Sequence, residues 1–555
     1  MIAARMSQAA IALLLSLPFL ITEHTSPIPS FHAEWLAAVL GLVACVALVG
    51  ARQLSMPGAA LLALALAGIG LLQAMLGRAP VPQLTSLFGL YLLWAALLAC
   101  TSRYLAELLG MTRLVWLLAT ALLAGSLLVG AAALFQPWLA LAGWPGYPVA
   151  YGGPLGQVNH LADYMWLGLA SAVYLRTSCT LGRWSFWAAA ALLALTAVFA
   201  GQRSSFLYAF ALIAAHAWQA RRAAAGERSE GLRLAFGVAL LFLLMQPLPS
   251  VLPPSSDAMR PPPALRAIQQ MLGPSVRFQL WHVGLKGIGA APLLGNGLGS
   301  YPGMALEYAE EIPPDANPGP AEHAHNLPID LGAELGVAAA LMLVLGAAAW
   351  FRRLPQRAEP SQATWAGAIA GILALHSLIE YPLWHSYFLG LLALVAGAFG
   401  ASRPIGWRLP SMVLVIAAVA LGGLILADVR RDYRLLENAL ELGKQPATMP
   451  LAQASLLRIP PTSLLSPWVN TTACVSLDPL QVALGDGLAV CRTAMRFAPT
   501  IQSGVHMAVL QWRNGDKAGA RELLHRLRRA SYDNPEGIDS LLAKLAARDL
   551  RIGEL

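Results

Sequence analysis

Two histidines two positions apart, His323 and His325, stand in the run EHAHNLPIDLGAELG (Glu322–Gly336), just before an apolar helix whose first turns carry Asp330 and Glu334. Histidine titrates near neutrality, so either ring could take a proton from a hydroxyl as a general base. The pair could instead ligate a metal, although no third Cys, His or Asp follows at a familiar zinc spacing. Asp330 and Glu334 suit a helix start electrostatically and could hold or tune a histidine. Arg203 (AGQRSSFLYAF) and Arg277 (GPSVRFQLWHVGLKGI) are a second pair of interest, the latter one turn before Trp281. Charge at a membrane is costly and marks function by default, against the plainer readings of a snorkelling arginine and a solvated loop arginine. GGPLGQVNHLADY supplies Gln157, Asn159 and His160; HSLIEYPLWHSYF supplies Glu380, Tyr381, Trp384 and His385. An interfacial aromatic belt accounts for the Trp and Tyr, but Glu380 amid apolar residues requires a partner or water. LLGNGLGS (Leu293–Ser300) looks like a phosphate loop, yet no strand precedes it, and a tight turn is sufficient explanation.

The elements that must position these residues are membrane helices. Hydrophobic residues make up 57% of the 555 positions, charged residues only 12%, and the mean hydropathy is +0.59. A spanning helix needs roughly 20 mostly apolar residues, and about thirteen such blocks occur. They centre near Leu15, Val43, Leu66, Leu92, Leu123, Gly168, Ala191, Leu212, Leu240, Ala340, Ile369, Leu391 and Ala417. The expectation is an all-α polytopic membrane protein, its first block a retained span rather than a cleaved signal.

Positive charge orients it. With the N-terminus inside, the inner loops hold Arg52; Arg103 and Arg113; Arg176 and Arg183; Arg221, Arg222, Arg228 and Arg233; Arg352, Arg353 and Arg357; Arg403 and Arg408, while Arg78 and Arg203 are the outer exceptions. An odd span count then puts the C-terminus outside. The formal charge of +8 is thus a topology signal, not a nucleic-acid footprint. Expected domains are a transmembrane region, 1–427, with a large outer loop at about 249–325, and an outer helical region, 428–555. In the latter, LQWRNGDKAGARELLHRLRRA (Leu510–Ala530) reads as two helices about an Asn-Gly-Asp turn, a tetratricopeptide-like hairpin with Ala518 and Ala520 permitting close approach. Cys474 and Cys491 of this region are candidates for a disulfide; Cys45, Cys100 and Cys179 are small apolar filler.

Gln157, Arg203, Arg277, His325 and Tyr381 come from five separate segments, and the charge rule sets all five on the outer side. Together, GQVNHLADY, an arginine opening an outer span, RFQLWHVGLKGI, APLLGNGLGSY, HAHN with DLGAELG, and HSLIEYPLWHSYF resemble the bacterial O-oligosaccharyltransferases, in the superfamily of O-antigen ligases and O-antigen polymerases. The resemblance covers roughly 152–400 and the chain layout, and EYPLWHSYF with the C-terminal helices is more similar to the protein-glycosylating branch, often acting on pilin. It implies transfer of a glycan from a polyprenyl-pyrophosphate carrier to a hydroxyl at the periplasmic face of the inner membrane, with no cofactor. It also implies His325, followed by Asn326, as the essential histidine, Arg203 and Arg277 on the pyrophosphate, and functional roles for Gln157 and Tyr381. Pro328 and Asp330 depart from the family pattern, which has a longer apolar residue and Gln there, so His323 could replace His325 as base.

The chemistry agrees with the residue types. An attacking alcohol needs a base; a pyrophosphate leaving group is already a stable anion and needs no acid, so the carboxylate pair of glycosidases is unnecessary. Arginine forks grip phosphate oxygens through paired bonds. No Asp-x-Asp metal motif and no ATP site is found. The rivals are an O-antigen ligase acting on lipid A-core, a polymerase, and a polyprenyl-glycan transporter, which would carry polar residues along the midplane.

Overall fold

The computed structural model describes residues 2–51, 53–141, 152–222, 230–250, 276–313, 317, 319–405, 408–531 and 535–555. Arg52, Arg228 and the early part of the large loop, 251–275, lie outside them. In chain order the helices are α1 (Ile2–Leu14), α2 (Phe31–Cys45), α3 (Gly58–Met75), α4 (Pro82–Leu109), α5 (Met111–Leu141), α6 (Val158–Thr177), α7 (Arg183–Ala200), α8 (Ser204–Ala220) and α9 (Glu230–Leu244). They continue with α10 (Val276–Ala290), α11 (Tyr301–Glu307), α12 (Leu327–Leu335), α13 (Val337–Arg353), α14 (Pro360–Ser377), α15 (Ser386–Ala398) and α16 (Arg408–Leu442). The C-terminal helices are α17 (Met449–Leu457), α18 (Ser466–Ser476), α19 (Leu484–Phe497), α20 (Ile501–Arg513), α21 (Lys517–Ala530) and α22 (Pro535–Ala546). Two four-residue strands, β1 (Leu54–Pro57) and β2 (Ser402–Ile405), pair antiparallel with Leu54 opposite Ile405.

The protein is an all-α polytopic membrane protein. Every apolar block expected from the sequence falls on a helix or, for Leu15, directly after α1. Eight helical segments among the described residues are long and apolar enough to cross a membrane. Of the rest, α8, α9 and α15 are shorter, and α6 and α14 carry polar residues. The polarity has a reason: α6 is buried without a break from His160 to Leu175, so it faces protein rather than lipid. Conversely, α16 has the highest hydropathy of the spans and shows Val413, Leu414, Ile416, Leu421 and Leu424 on its surface, as a helix bathed in acyl chains should.

The chain divides into two compact units, one of 1–64, 93–273 and 345–426, the other of 65–92, 274–344 and 427–555. In the first, α6 packs against α5, α7, α8 and α14. In the second, two faces of α11 serve two cores. Tyr301, Met304 and Ala305, at i, i+3 and i+4, join Leu280, Val283, Ala324 and Ala333; Leu306, with Ala309 three residues on, joins Val505, Val509, Ala520, Leu524 and Leu527 of the C-terminal helices. Arg529 adds hydrogen bonds to the carbonyls of Glu310 and Ile312, both 3.2 Å.

The α20–α21 hairpin turns at Asn514–Asp516, where Gly515 has φ +90° and the Asp516 side chain accepts from Gly519 N. Ala520 lies in the core, but Ala518 does not let the helices approach: it is exposed, and Gly504 of α20 instead makes the close contact, with Leu527. Cys474 and Cys491 form a disulfide joining α18 to α19.

Candidate functional site

In the second unit the residues after the large loop are held by a buried carboxylate. Asp330, in the first turn of α12 and 1% exposed, accepts from the His323 ring (Nδ1, 2.9 Å) through one oxygen and from Ala324 N (3.0 Å) through the other. This bidentate clasp fixes the two residues preceding His325, which adopts φ +51°, a left-handed conformation rare for a residue with a Cβ. Asn326 then caps α12, its side chain accepting from Ile329 N at 3.3 Å. Pro328 follows in the first turn, where a missing N–H costs nothing. Both departures from the family pattern therefore have local physical reasons.

Burial disfavours the His323 cation, but the charge and hydrogen bond of Asp330 outweigh it and hold the ring above its ordinary 6.5. Glu334, one turn after Asp330, is pushed above the usual carboxyl range by burial and then by the Asp330 charge; its Oε1 accepts from Tyr301 N at 3.1 Å. Among the described residues no three His, Cys, Asp or Glu side chains gather as a metal-binding group.

The glycine-rich loop Leu293–Ser300 closes over the end of α12. Asn296 donates from its side chain to the carbonyls of Gly287 and Ala333, each at 2.9 Å, and Gly297 N donates to the carbonyl of Glu334 at 3.0 Å. Gly295, at φ +67°, lies so near the Glu334 carbonyl that a Cβ would collide with it. The N–H groups of Gly295, Asn296, Gly297 and Ser300 are spent on the protein. Gln73 of α3 also donates to the Leu294 and Glu334 carbonyls. Arg277 lies half-buried in the first turn of α10.

The first unit holds the other expected residues. Gln157 stands at the N-cap position of α6 without a side-chain capping bond, and Asn159, two residues later, donates to Glu380 Oε1 at 3.2 Å, the partner that a carboxylate in apolar surroundings requires. Tyr381 stacks on the His385 ring, centroids 6.0 Å apart. Arg203 is the N-cap of α8 and half-buried. Thus Gln157, Asn159, Arg203, Glu380 and Tyr381 belong to one unit, and Arg277, His323, His325 and Asn326 to the other.

Sequence reasoning singled out His160 and His385 but missed Glu34, Asp163, His376 and Tyr387, which hold them or lie beside them. Glu34 of α2 accepts from His385 Nδ1 and Ser386 N, both 2.7 Å, and Asp163 of α6 pairs with His376 of α14 at 2.8 Å. His160, bonded to Tyr387 at 3.1 Å, has its ring 4.5 Å from that of His385 and 6.0 Å from that of His376. Single acidic residues within apolar blocks, as in FHAEWLAAV and HLADYMW, were the available signal.

Two family models match this chain without overlap: O-antigen ligase over 188–344, and the C-terminal part of a virulence-factor membrane-bound polymerase over 364–536. A general O-oligosaccharyltransferase of Acinetobacter baylyi is 26% identical over 472 residues, covering 81% of this chain and 80% of that relative. The two matches flank or include Arg203, Arg277, the His323–Asp330 clasp and the Tyr381 turn. With this relative aligned along most of both chains, the multi-pass helical chain is a membrane glycosyltransferase similar to the O-antigen ligases and to that O-oligosaccharyltransferase.

Proposed function

We propose that the protein transfers an oligosaccharide from a polyprenyl-pyrophosphate carrier to a Ser or Thr hydroxyl of an acceptor protein such as pilin, at the periplasmic face of the bacterial inner membrane, oriented N-terminus in and C-terminus out. The observation that carries a protein acceptor is the general O-oligosaccharyltransferase aligned over 81% of the chain. The acceptor oxygen attacks the anomeric carbon as the bond to the pyrophosphate breaks. The bonding pair leaves on a phosphate oxygen, the hydroxyl proton passes to the base, and the anomeric centre inverts. Arg203 and Arg277 meet the charge that grows on the leaving group, an electrostatic stabilisation of the transition state. Gln157, Asn159, Glu380 and Tyr381 serve the donor at the outer rim. No cofactor takes part in this scheme.

The Asp330 clasp supports a division of labour between the histidines. His323 is tied to Asp330 through Nδ1 and its cation is favoured, which leaves fewer neutral rings to take a proton. This reading assigns the base to His325, with His323 Nε2 as the alternative. His325→Ala, assayed with a polyprenyl-pyrophosphate glycan and purified pilin, is expected to lose transfer by about 100-fold or more while keeping donor binding. Near-normal transfer would remove His325 from this role. The O-antigen ligase match favours a second reading, with lipid A-core as acceptor. A deletion strain separates the two: loss of glycosylated protein supports the first, loss of long-chain lipopolysaccharide the second.

A further inference from the structure

The packed helices α6, α8 and α14 carry buried polar groups that the scheme above leaves unused. Asp163 and His376 pair at 2.8 Å with both side chains fully buried, yet each has a second polar atom, Asp163 Oδ1 and His376 Nε2, with no partner among the described residues. The same holds for the hydroxyls of Ser204 and Ser205, the first two residues of α8. Tyr208, one turn further along α8 and wholly buried, has its ring 5.7 Å from the His376 ring. The helices that carry these atoms, α6, α8 and α14, pack on one another in all three pairings. Buried polar atoms left without a partner are destabilising, and such atoms in proteins are as a rule satisfied by ordered water.

We propose that Asp163 and His376 are positioning residues for Arg203, acting through water held between this pair and the hydroxyls of Ser204 and Ser205. The placement of Arg203 makes this more than packing. It is the N-cap of α8, directly before the two serines, and its backbone angles (φ −60°, ψ −32°) continue into the helix, so its Cα–Cβ bond moves with the first turn of α8. Asp163 fixes the His376 ring through Nδ1 and so directs Nε2; the water then ties that nitrogen to the turn. The inference rests on the reading of Arg203 as a pyrophosphate ligand.

A double-mutant cycle tests it, with the full chain in nanodiscs and farnesyl pyrophosphate as the probe. Arg203→Ala is expected to weaken binding by about tenfold or more, and Asp163→Asn by about fivefold, whereas the double variant binds no worse than Arg203→Ala alone to within about twofold, the non-additivity of residues acting as one. A general loss of packing would instead multiply the two effects, and that result, or wild-type binding by Asp163→Asn, overturns the proposal. Wild-type binding by Arg203→Ala sinks the ligand reading itself and the inference with it. If Asp163→Asn fails to insert, His376→Gln is read in the same cycle with the same outcomes.

Discussion

Replacing Asp330 by Ala is the most informative single change in the second unit. Its carboxylate is 1% exposed and accepts two hydrogen bonds, at 2.9 Å from the His323 ring and 3.0 Å from Ala324 N. Hydrogen bonds to a charged group contribute about 1.5–3 kcal/mol each, and removal strands both donors. Taking the lower value twice gives about 3 kcal/mol against the clasped arrangement, which at 1.4 kcal/mol per decade is on the order of 100-fold. Transfer by Asp330→Ala should therefore fall about 100-fold. Asp330→Asn, whose amide oxygen still accepts from Ala324 N, should lose only about tenfold. Initial rates of glycan transfer measured between pH 5.5 and 9 also separate the two histidines. Asp330 holds the His323 ring above 6.5, so if His323 were the base, Asp330→Asn would move the acid limb of the rate profile to lower pH. With His325 as base the amplitude falls and that movement is not expected. A folded Asp330→Ala protein working within about threefold of wild type would refute the positioning role.

The same pair makes the second unit sensitive to alkali. Because folded His323 keeps its proton above the ordinary 6.5, its contribution to stability is complete below pH 6.5 and is lost as pH rises through the folded value; raised Glu334 acts in the same direction. Hydrogen exchange of 322–335 should quicken between pH 6 and 8.5 beyond the intrinsic rate, and less so in Asp330→Asn; an identical acceleration in both proteins would contradict this. In the C-terminal region the Cys474–Cys491 disulfide closes a loop with a sequence separation of 17, for which chain entropy gives about 3 kcal/mol. Cys491→Ala should lower the melting point of that region by several degrees, a shift to be compared with the effect of a reductant on the wild type.

What could be read from the sequence is what depends on near neighbours. Apolar blocks located the helices, and an Asn-Gly-Asp turn located the α20–α21 hairpin, because span length, helix period and turn geometry are local properties. Partner choice was not legible. Asp163 meets its histidine 213 residues later and Glu34 meets its own 351 residues later, and no pattern within either helix names those partners. The second face of α11 was hidden for the same reason, since Leu306 and Ala309 find their core among helices some 200 residues on.

Glu34 shows how a distant residue can decide a site it never appears in. It lies in α2, within a span that contributes nothing to the recognisable motifs. Its two carboxylate oxygens take the His385 ring and the Ser386 backbone N–H, and its own carbonyl takes the Ser386 hydroxyl at 3.2 Å. Ser386 is the first residue of α15, so Glu34 places an anion on a helix N-terminus, where orphan N–H groups and the helix dipole favour it. His385, held this way, is the ring on which Tyr381 stacks, and Tyr381 adjoins Glu380, the acceptor for Asn159. The turn between α14 and α15 is thereby fastened on both sides, by α2 at its end and by α6 at its start. The order of causes runs from a buried charge in an apolar span, through a helix cap, to the orientation of a tyrosine in that turn. A motif comparison begins at the last of these steps.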